Sequence, residues 1–393
     1  MTTALDVTLV CDIMMDLEGS IRPAMYLAAE LVAKGYTVSM MSPIMSDDVE
    51  ERLRVSGIMP INLRAKLTAK NSGLSMLWFE TWAREAFLKL NSKHVNRHSD
   101  VMVNFSHTLV VPSMFWYLQG PTSVALKDME GELTVAYRFA YRVLRPLVEY
   151  ADGKLVKDMG RKSAFVVANS KFCASMYRKW EIEVSDIIYP PIDCKVFQPR
   201  MSSPSSDYVL TYFGKETKFS VVKAVADLGV SIKAFGSKAP FVPRFLITHP
   251  NIEFLGRVST DELVDVYSNA LFTLFPFTHE PFGYIPVESM ACGTPTLTYD
   301  TQGPSESVVD GHTGWLAKSD EELVYKALKL WKQGYASRIR LNCVKAAPMF
   351  DKKLYVEKWL KVIKPESSDF EAKDFSNVNV DKTVGLHAKS SKS

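Results

Sequence analysis

The sequence predicts an α/β protein of two doubly wound domains facing across a cleft, and three observations carry that expectation. A strand, helix, strand succession opens the chain within about 40 residues, the signature of a parallel βαβ unit. The same alternation restarts near Tyr208. Between the two series, residues 189–207 are rich in proline and serine, the composition of a linker.

In the first series "DVTLVCDIMM" has the continuous apolar character of a buried strand. "SIRPAMYLAAELVAKG" predicts a helix with Ser20 as N-cap, Pro23 in the first turn and Gly35 as its stop, and "YTVSMMS" returns as a strand. Three further stretches, 100–106, 122–127 and 163–170, are strand-like, with helical segments between them. The second series runs "YVLTYFG" as a strand, "VVKAVADLG" as a helix, then "SIKAFG" and "NIEFLGRV" as strands. A helix over "TDELVDVYSNA", capped by Thr260, follows them. "LYVEKWLKVI" closes the folded part as an amphipathic helix, and the polar, aperiodic stretch after it is expected to be disordered. The expected division is 1–195 for the first α/β domain and 196–350 for the second. A helix at 351–364 would return to the first domain, and a tail would occupy 365–393. Apart from the recurrence of α/β units there is no tandem repeat.

Composition narrows the function. The 393 residues are 47% hydrophobic, enough for a core in each domain, and Lys plus Arg exceed Asp plus Glu by only 47 − 44 = 3. A balanced charge gives no general argument for a nucleic-acid partner. Five scattered cysteines without a C-x-x-C pair disfavour a zinc site and a disulfide framework, and they suit a reducing compartment. The N-terminus lacks a basic segment before its short apolar run, and no stretch of about 18 uncharged apolar residues occurs. The expected location is the cytoplasm, extending to the cytoplasmic face of the membrane.

The most informative stretch is "HEPFGYIPVESMACGTP", residues 279–295. It follows "ALFTLFPF", which has the pattern of a strand buried on both faces, so residues 279–283 fall at a carboxyl strand end, where open parallel sheets bind ligands. Pro286 suits the first position of a helix over 286–292 and Gly293 its end. The free amides of such a helix attract phosphate, and Gly283 lets the backbone approach an anion. Glu280 on the loop and Glu288 in the first turn would place a carboxylate on either side of that anion site. Carboxylates accept hydroxyl hydrogen bonds, so the array suits a sugar, phosphate, sugar ligand, which is what a nucleotide sugar is.

"EPFGYIPVESMACGTPTLTYDTQGPSESVVDGHTGWL" resembles the E-x7-E motif and glycine-rich segment of the retaining glycosyltransferases of family 4, the group 1 glycosyltransferases. The likeness extends to "VVANSKFCASMYRKW", "DIIYPPIDCKVFQP" and "HPNIEFLGRVSTDELVDVYSNALFTLFPF", and is strongest over 160–317. It implies a GT-B fold of two Rossmann-like domains. It also implies transfer with retention of configuration from a nucleotide sugar to a hydroxyl of a glycan or lipid-linked acceptor, with no metal or other cofactor. By that resemblance Glu280 lies beside the donor sugar's hydroxyls and Glu288 holds the ribose. The backbone of Phe282, Gly283 and Tyr284 meets sugar and diphosphate, and Lys215 with Lys218 neutralises the diphosphate. The family pattern has an arginine and a longer spacing there. Gly19 stands where the family has two adjacent glycines, Glu18 replacing the other. His107 falls where a family histidine approaches the transferring sugar, and Arg257 falls beside the base. Retention would follow a same-face mechanism in which the leaving phosphate oxygen takes the acceptor's proton.

The acids of "KDME" (Asp128, Glu130) and "SDD" (Asp47, Asp48) are read as solvated and not as metal ligands. Residues 134–150 set Arg138, Arg142 and Arg145 beside Phe139, Val143 and Leu147, the build of an interfacial helix. A second stretch carries Trp78, Phe79, Trp82 and Phe87. Both suggest peripheral contact with an anionic membrane, against which stands packing on the sheet with the arginines in water. Two other functions remain open: a GT-B nucleotide-sugar epimerase or phosphorylase, and a non-catalytic scaffold that binds nucleotide sugars.

Overall fold

The computed structural model describes residues 5–17, 19–68, 74–92, 95, 99–132, 135–200, 204–236 and 242–363. Glu18 and the tail from 364 lie outside them.

Seven strands form the first sheet: β1 (Asp6–Val10), β2 (Thr37–Ser42), β3 (Met59–Asn62), β4 (Val101–Asn104), β5 (Ser113–Leu118), β6 (Ser163–Ala168) and β7 (Asp186–Ile187). Their spatial order is β3-β2-β1-β4-β5-β6-β7, with every pairing parallel. The second sheet has six: β8 (Val209–Tyr212), β9 (Ile232–Phe235), β10 (Ile252–Gly256), β11 (Thr273–Phe275), β12 (Thr296–Tyr299) and β13 (Gly314–Ala317). Its order is β10-β9-β8-β11-β12-β13, again parallel throughout. The strand order reverses beside β1 in one sheet and β8 in the other. In open α/β sheets ligand crevices lie at such switch points.

Burial explains the strand sequences. All of β4, β11 and β12 is buried, as expected of strands with helices on both faces. Val7, Leu9, Val103, Phe115 and Trp359 share one core, so the helix Lys352–Ile363 packs with the first sheet although the second precedes it in the chain. Val209, Leu274, Leu297 and Ala327 belong to the core of the second.

Several local expectations are corrected. Residues 122–127 are not a strand: Thr122–Asp128 is a helix that follows Pro121, an extended residue, and the strand beside β4 is Ser113–Leu118. Asp152 accepts the Ser123 amide at 2.8 Å and so satisfies one of the helix's free N–H groups. The helix expected from Ser20 begins at Arg22, after a 3-10 turn over Gly19–Ile21, with Ile21 at the cap and Pro23 in its first turn. Ser259, not Thr260, caps Thr260–Asn269, because its hydroxyl and the Glu262 carboxylate complete a capping box. The helix expected over 286–292 spans Tyr284–Ala291 with Gly283 as its cap, so Pro286 is the third helical residue and Glu288 lies beyond the first turn.

Candidate functional site: the cleft between the sheets

Gly283 starts the helix after β11 in the left-handed region, at φ 97°. A side chain there would be strained, and an added Cβ would come within 2.8 Å of the Pro304 ring. Glu280 turns back onto this helix start, where its Oε1 accepts the Gly283 amide at 3.1 Å and the Phe282 amide at 3.4 Å. Burial and the negative charge of Glu216 push the Glu280 carboxyl up to about 7, against the pull of those amides and of Lys215. The carboxylate therefore changes charge near neutrality.

The loop after β12 braces the loop of Glu280. The Gly303 amide donates to the Glu280 carbonyl at 3.0 Å, and the Gln302 Nε2 donates to the carbonyls of Phe277 and Thr278, each at 3.1 Å. Gln302 does this from φ 74°, a region that costs a non-glycine residue energy. Gly303 leaves no room for a side chain, since a Cβ would fall 2.1 Å from the Pro281 carbonyl oxygen.

Glu288 is buried, at 4% exposure. Its Oε1 accepts from Arg22 at 2.7 Å, across the cleft, and its Oε2 accepts from the Tyr267 hydroxyl at 3.3 Å. The Arg22 guanidinium also lies 4.4 Å from the centroid of the Tyr284 ring. Nothing in the sequence pattern of the motif joins Arg22 to Glu288, which are 266 residues apart.

On the first sheet, Asp12 follows β1 and organises the loop after β4. Its Oδ1 accepts from the Ser106 hydroxyl at 2.5 Å, the His107 amide at 2.9 Å, and the Thr108 amide and hydroxyl at 3.0 and 2.7 Å. Its Oδ2 accepts from Trp78 Nε1 at 3.0 Å and lies 3.7 Å from His107 Nδ1. Burial acts to raise this carboxyl, but the hydrogen bonds and the neighbouring imidazole prevail and hold it down at about 2. His107 Nε2 reaches the Tyr177 hydroxyl at 3.5 Å. Sequence reasoning singled out His107 and missed Asp12. The only signal was its place at a carboxyl strand end.

Further contacts join the two sheets' surroundings. His279 Nδ1 meets Asp128 Oδ2 at 2.8 Å, so Asp128 is not simply solvated. Glu306 accepts the amides of Lys171 and Phe172 at 2.9 and 2.7 Å and the Tyr189 hydroxyl at 3.0 Å. The Ser170 hydroxyl donates to the Pro281 carbonyl at 2.5 Å.

The other candidates are dispersed. Lys218 lies 2.8 Å from Asp320 and 4.5 Å from the Tyr299 ring centroid, while exposed Lys215 pairs with its neighbour Glu216 at 3.4 Å. Phe282 is core, packed with Tyr189 and Phe350, so only its backbone is at the cleft. Gly19 has φ 64°, and an added Cβ would meet nothing within 4 Å. Arg257 is exposed just after β10. Glu130 accepts from Arg142 Nε at 2.5 Å, and Asp47 and Asp48 are exposed in a helical first turn. Among the described residues no group of three or more His, Cys, Asp or Glu side chains is placed to hold a metal ion.

The helix Val135–Lys162 presents Val135, Phe139, Val143 and Leu147 at i, i+4, i+8 and i+12, all exposed by half or more. Its arginines are engaged: Arg138 donates to the carbonyls of Glu130 and Gly131, Arg142 pairs with Glu130 and Arg145 with Glu149. In the other aromatic stretch Trp82 is buried and Trp78 serves Asp12, leaving Phe79 and Phe87 partly exposed. Among the described residues no helix is long and apolar enough to cross a membrane.

Residues 246–348 match the family model of the glycosyl transferases group 1. Over 116 residues the chain is 31% identical to an uncharacterized glycosyltransferase of Methanocaldococcus jannaschii, covering 28% of this chain and 33% of that one. Over 172 residues it is 26% identical to a D-inositol 3-phosphate glycosyltransferase of Nocardiopsis dassonvillei, covering 36% and 40%. The chain thus spans well under half the length of these curated relatives. Among solved structures it resembles WaaG, a glycosyltransferase involved in lipopolysaccharide biosynthesis, with TM-score 0.64 at 17% identity over 92% of this chain and all of that one. It also resembles Anabaena HepE in complex with UDP and glucose, with TM-score 0.63 at 15% identity over 91% and 99%. Residues 246–348 thus carry the likeness to the group 1 glycosyltransferases, and the two sheets share the GT-B fold of the solved structures.

Proposed function

We propose that the protein is a retaining glycosyltransferase that moves a hexosyl or related sugar from a nucleotide sugar to a hydroxyl of a glycan or lipid-linked acceptor. The observation that carries this is the helix start at Gly283, with Glu280 folded onto its amides, Glu288 one turn further along and His107 on the first sheet's carboxyl edge. Helix-end amides suit a diphosphate and the carboxylates suit sugar hydroxyls, so the order of groups matches the order within the donor. The likeness to a D-inositol 3-phosphate glycosyltransferase and the UDP bound to a fold neighbour support this reading.

In the reaction, the bond between the anomeric carbon and the diphosphate oxygen loosens, and preorganised positive groups meet the charge that develops on the leaving group. The acceptor hydroxyl forms the new bond on the same face, and its proton passes to the departing phosphate oxygen. Glu280 orients the sugar, and no protein nucleophile or metal is required. Arg257, just after β10, would serve the base, and Lys215 and Lys218 the diphosphate. Donor entry then requires Lys218 to exchange Asp320 for phosphate.

The exposed stripe from Val135 to Leu147 suits a protein that lies against an anionic membrane to reach a lipid-linked acceptor. The test is a panel of UDP-, GDP-, ADP- and dTDP-sugars, by calorimetry and by product analysis with and without acceptor. Binding of one nucleotide class, with a new glycoside that keeps the donor's anomeric configuration, supports the reading. Absence of nucleotide binding, or an inverted product, overturns it.

A further inference from the structure

The two lysines expected on the diphosphate side of this cleft already have carboxylate partners, Lys218 with Asp320 and Lys215 with Glu216. An arginine arrives from the other side. Arg22 opens the helix Arg22–Ala33 immediately after the Gly19 turn and reaches across to Glu288 and Tyr284. Those two residues are i and i+4 on the helix Tyr284–Ala291, so they share a face, with Tyr284 at the helix start and Glu288 one turn along. The guanidinium therefore lies alongside the path from the carboxylate to the helix's free amides.

We propose that Arg22 is a diphosphate-binding residue supplied by the first domain, clamping the donor's phosphates against the start of the helix Tyr284–Ala291. This rests on the nucleotide-sugar reading above. A guanidinium has five N–H donors in a planar fork, and among the described residues Arg22 uses one, toward Glu288 Oε1, leaving donors for phosphate oxygens. Glu288 on one side and the Tyr284 ring on the other fix its plane, so little side-chain freedom is lost on binding. The Tyr284 hydroxyl, buried without a hydrogen-bond partner, is a further polar group beside the guanidinium. The space beside Gly19, open to at least 4 Å from an added Cβ, leaves room for the ligand. The same contact ties nucleotide binding to the approach of the two domains, because the clamp exists only when Arg22 reaches the second.

The test separates phosphate from ribose. Binding of the nucleoside and of the nucleoside diphosphate of the same base is measured by calorimetry or competition, for the four bases, on the parent, Arg22→Gln, Arg22→Lys and Glu288→Gln. The expected result is that Arg22→Gln loses roughly 10- to 100-fold in diphosphate affinity, with a much smaller loss for the nucleoside. Arg22→Lys should recover part of the loss, and Glu288→Gln, which removes the ribose acceptor and also loosens Arg22, should weaken the nucleoside and weaken the diphosphate at least as much. Equal losses for nucleoside and diphosphate in Arg22→Gln would show that Arg22 acts only through Glu288, and would overturn the proposal while the nucleotide-sugar reading stands. A parent that binds no nucleoside diphosphate would remove both.

Discussion

Replacing Asp12 by asparagine tests the organisation of the first-domain side of the cleft. The substitution keeps one carbonyl oxygen but removes the charge, and it puts an amide donor where Oδ2 accepts from Trp78 Nε1. The charge term follows from linkage. The carboxyl sits at about 2 against an ordinary 3.8, a lowering of about 1.8 pH units at ~1.4 kcal/mol per unit, or ~2.5 kcal/mol at neutral pH. Because the folded value is the lower one, this stability is fully present above about pH 4 and is lost as pH falls through about 2. Leaving Trp78 Nε1 without an acceptor adds about 1–3 kcal/mol. The total of about 3.5–5.5 kcal/mol corresponds to a fall of roughly 7–22 °C in the melting temperature of a domain this size. Thermal unfolding at pH 7 and urea unfolding from pH 5 to 2 measure both parts. Asp12→Asn should melt well below the parent at pH 7, and the gap should narrow toward pH 2. A variant melting within about 2 °C of the parent at pH 7, or a gap that does not change with acid, would refute the reasoning.

Glu280 behaves in the opposite sense, since its folded value of about 7 exceeds its ordinary 4.5. Its ionisation costs stability as pH rises from about 4.5 to about 7, so Glu280→Gln should be more stable than the parent at pH 8 and no more stable at pH 4. On the proposed reading its transfer activity should be lower and should lack a pH limb near 7 that the parent shows; persistence of that limb in the variant would assign it to another group. Gln302→Ala and Gln302→Gly both remove the bonds to Phe277 and Thr278 and should lower kcat, but the glycine variant should be more stable by about 1 kcal/mol because it relieves the left-handed backbone. Equal stabilities by urea unfolding would contradict this. The double variant Phe139→Ser, Val143→Ser should lose flotation on phosphatidylglycerol vesicles at low salt while its unfolding temperature stays within about 2 °C, both side chains being exposed. Undiminished flotation would exclude the stripe as the contact.

How much was legible depends on how far apart the interacting residues stand in the chain. The parallel α/β architecture was legible because strand burial and helix periodicity are local patterns, as the uniformly buried β11 and β12 show. The Glu280 to Glu288 segment was legible because its chemistry lies within one loop and one helix. Boundaries were less so. Thr122–Ala125 has both strand-like and helix-compatible residues, and the choice was made by Pro121 and by Asp152, 29 positions from the Ser123 amide it accepts.

The two βαβ series and a pair of acids near a short helix after a buried strand were readable from consecutive residues, while the left-handed turn at Gly283 that starts the helix two residues early was not. What those acids face came from contacts distant in the chain. The tertiary structure brought Arg22 onto Glu288 and Asp12 beneath His107, partners 266 and 95 residues apart. Charge pairing across a cleft leaves no period in a chain, because its energy depends on the distance between side chains and not on their separation in sequence.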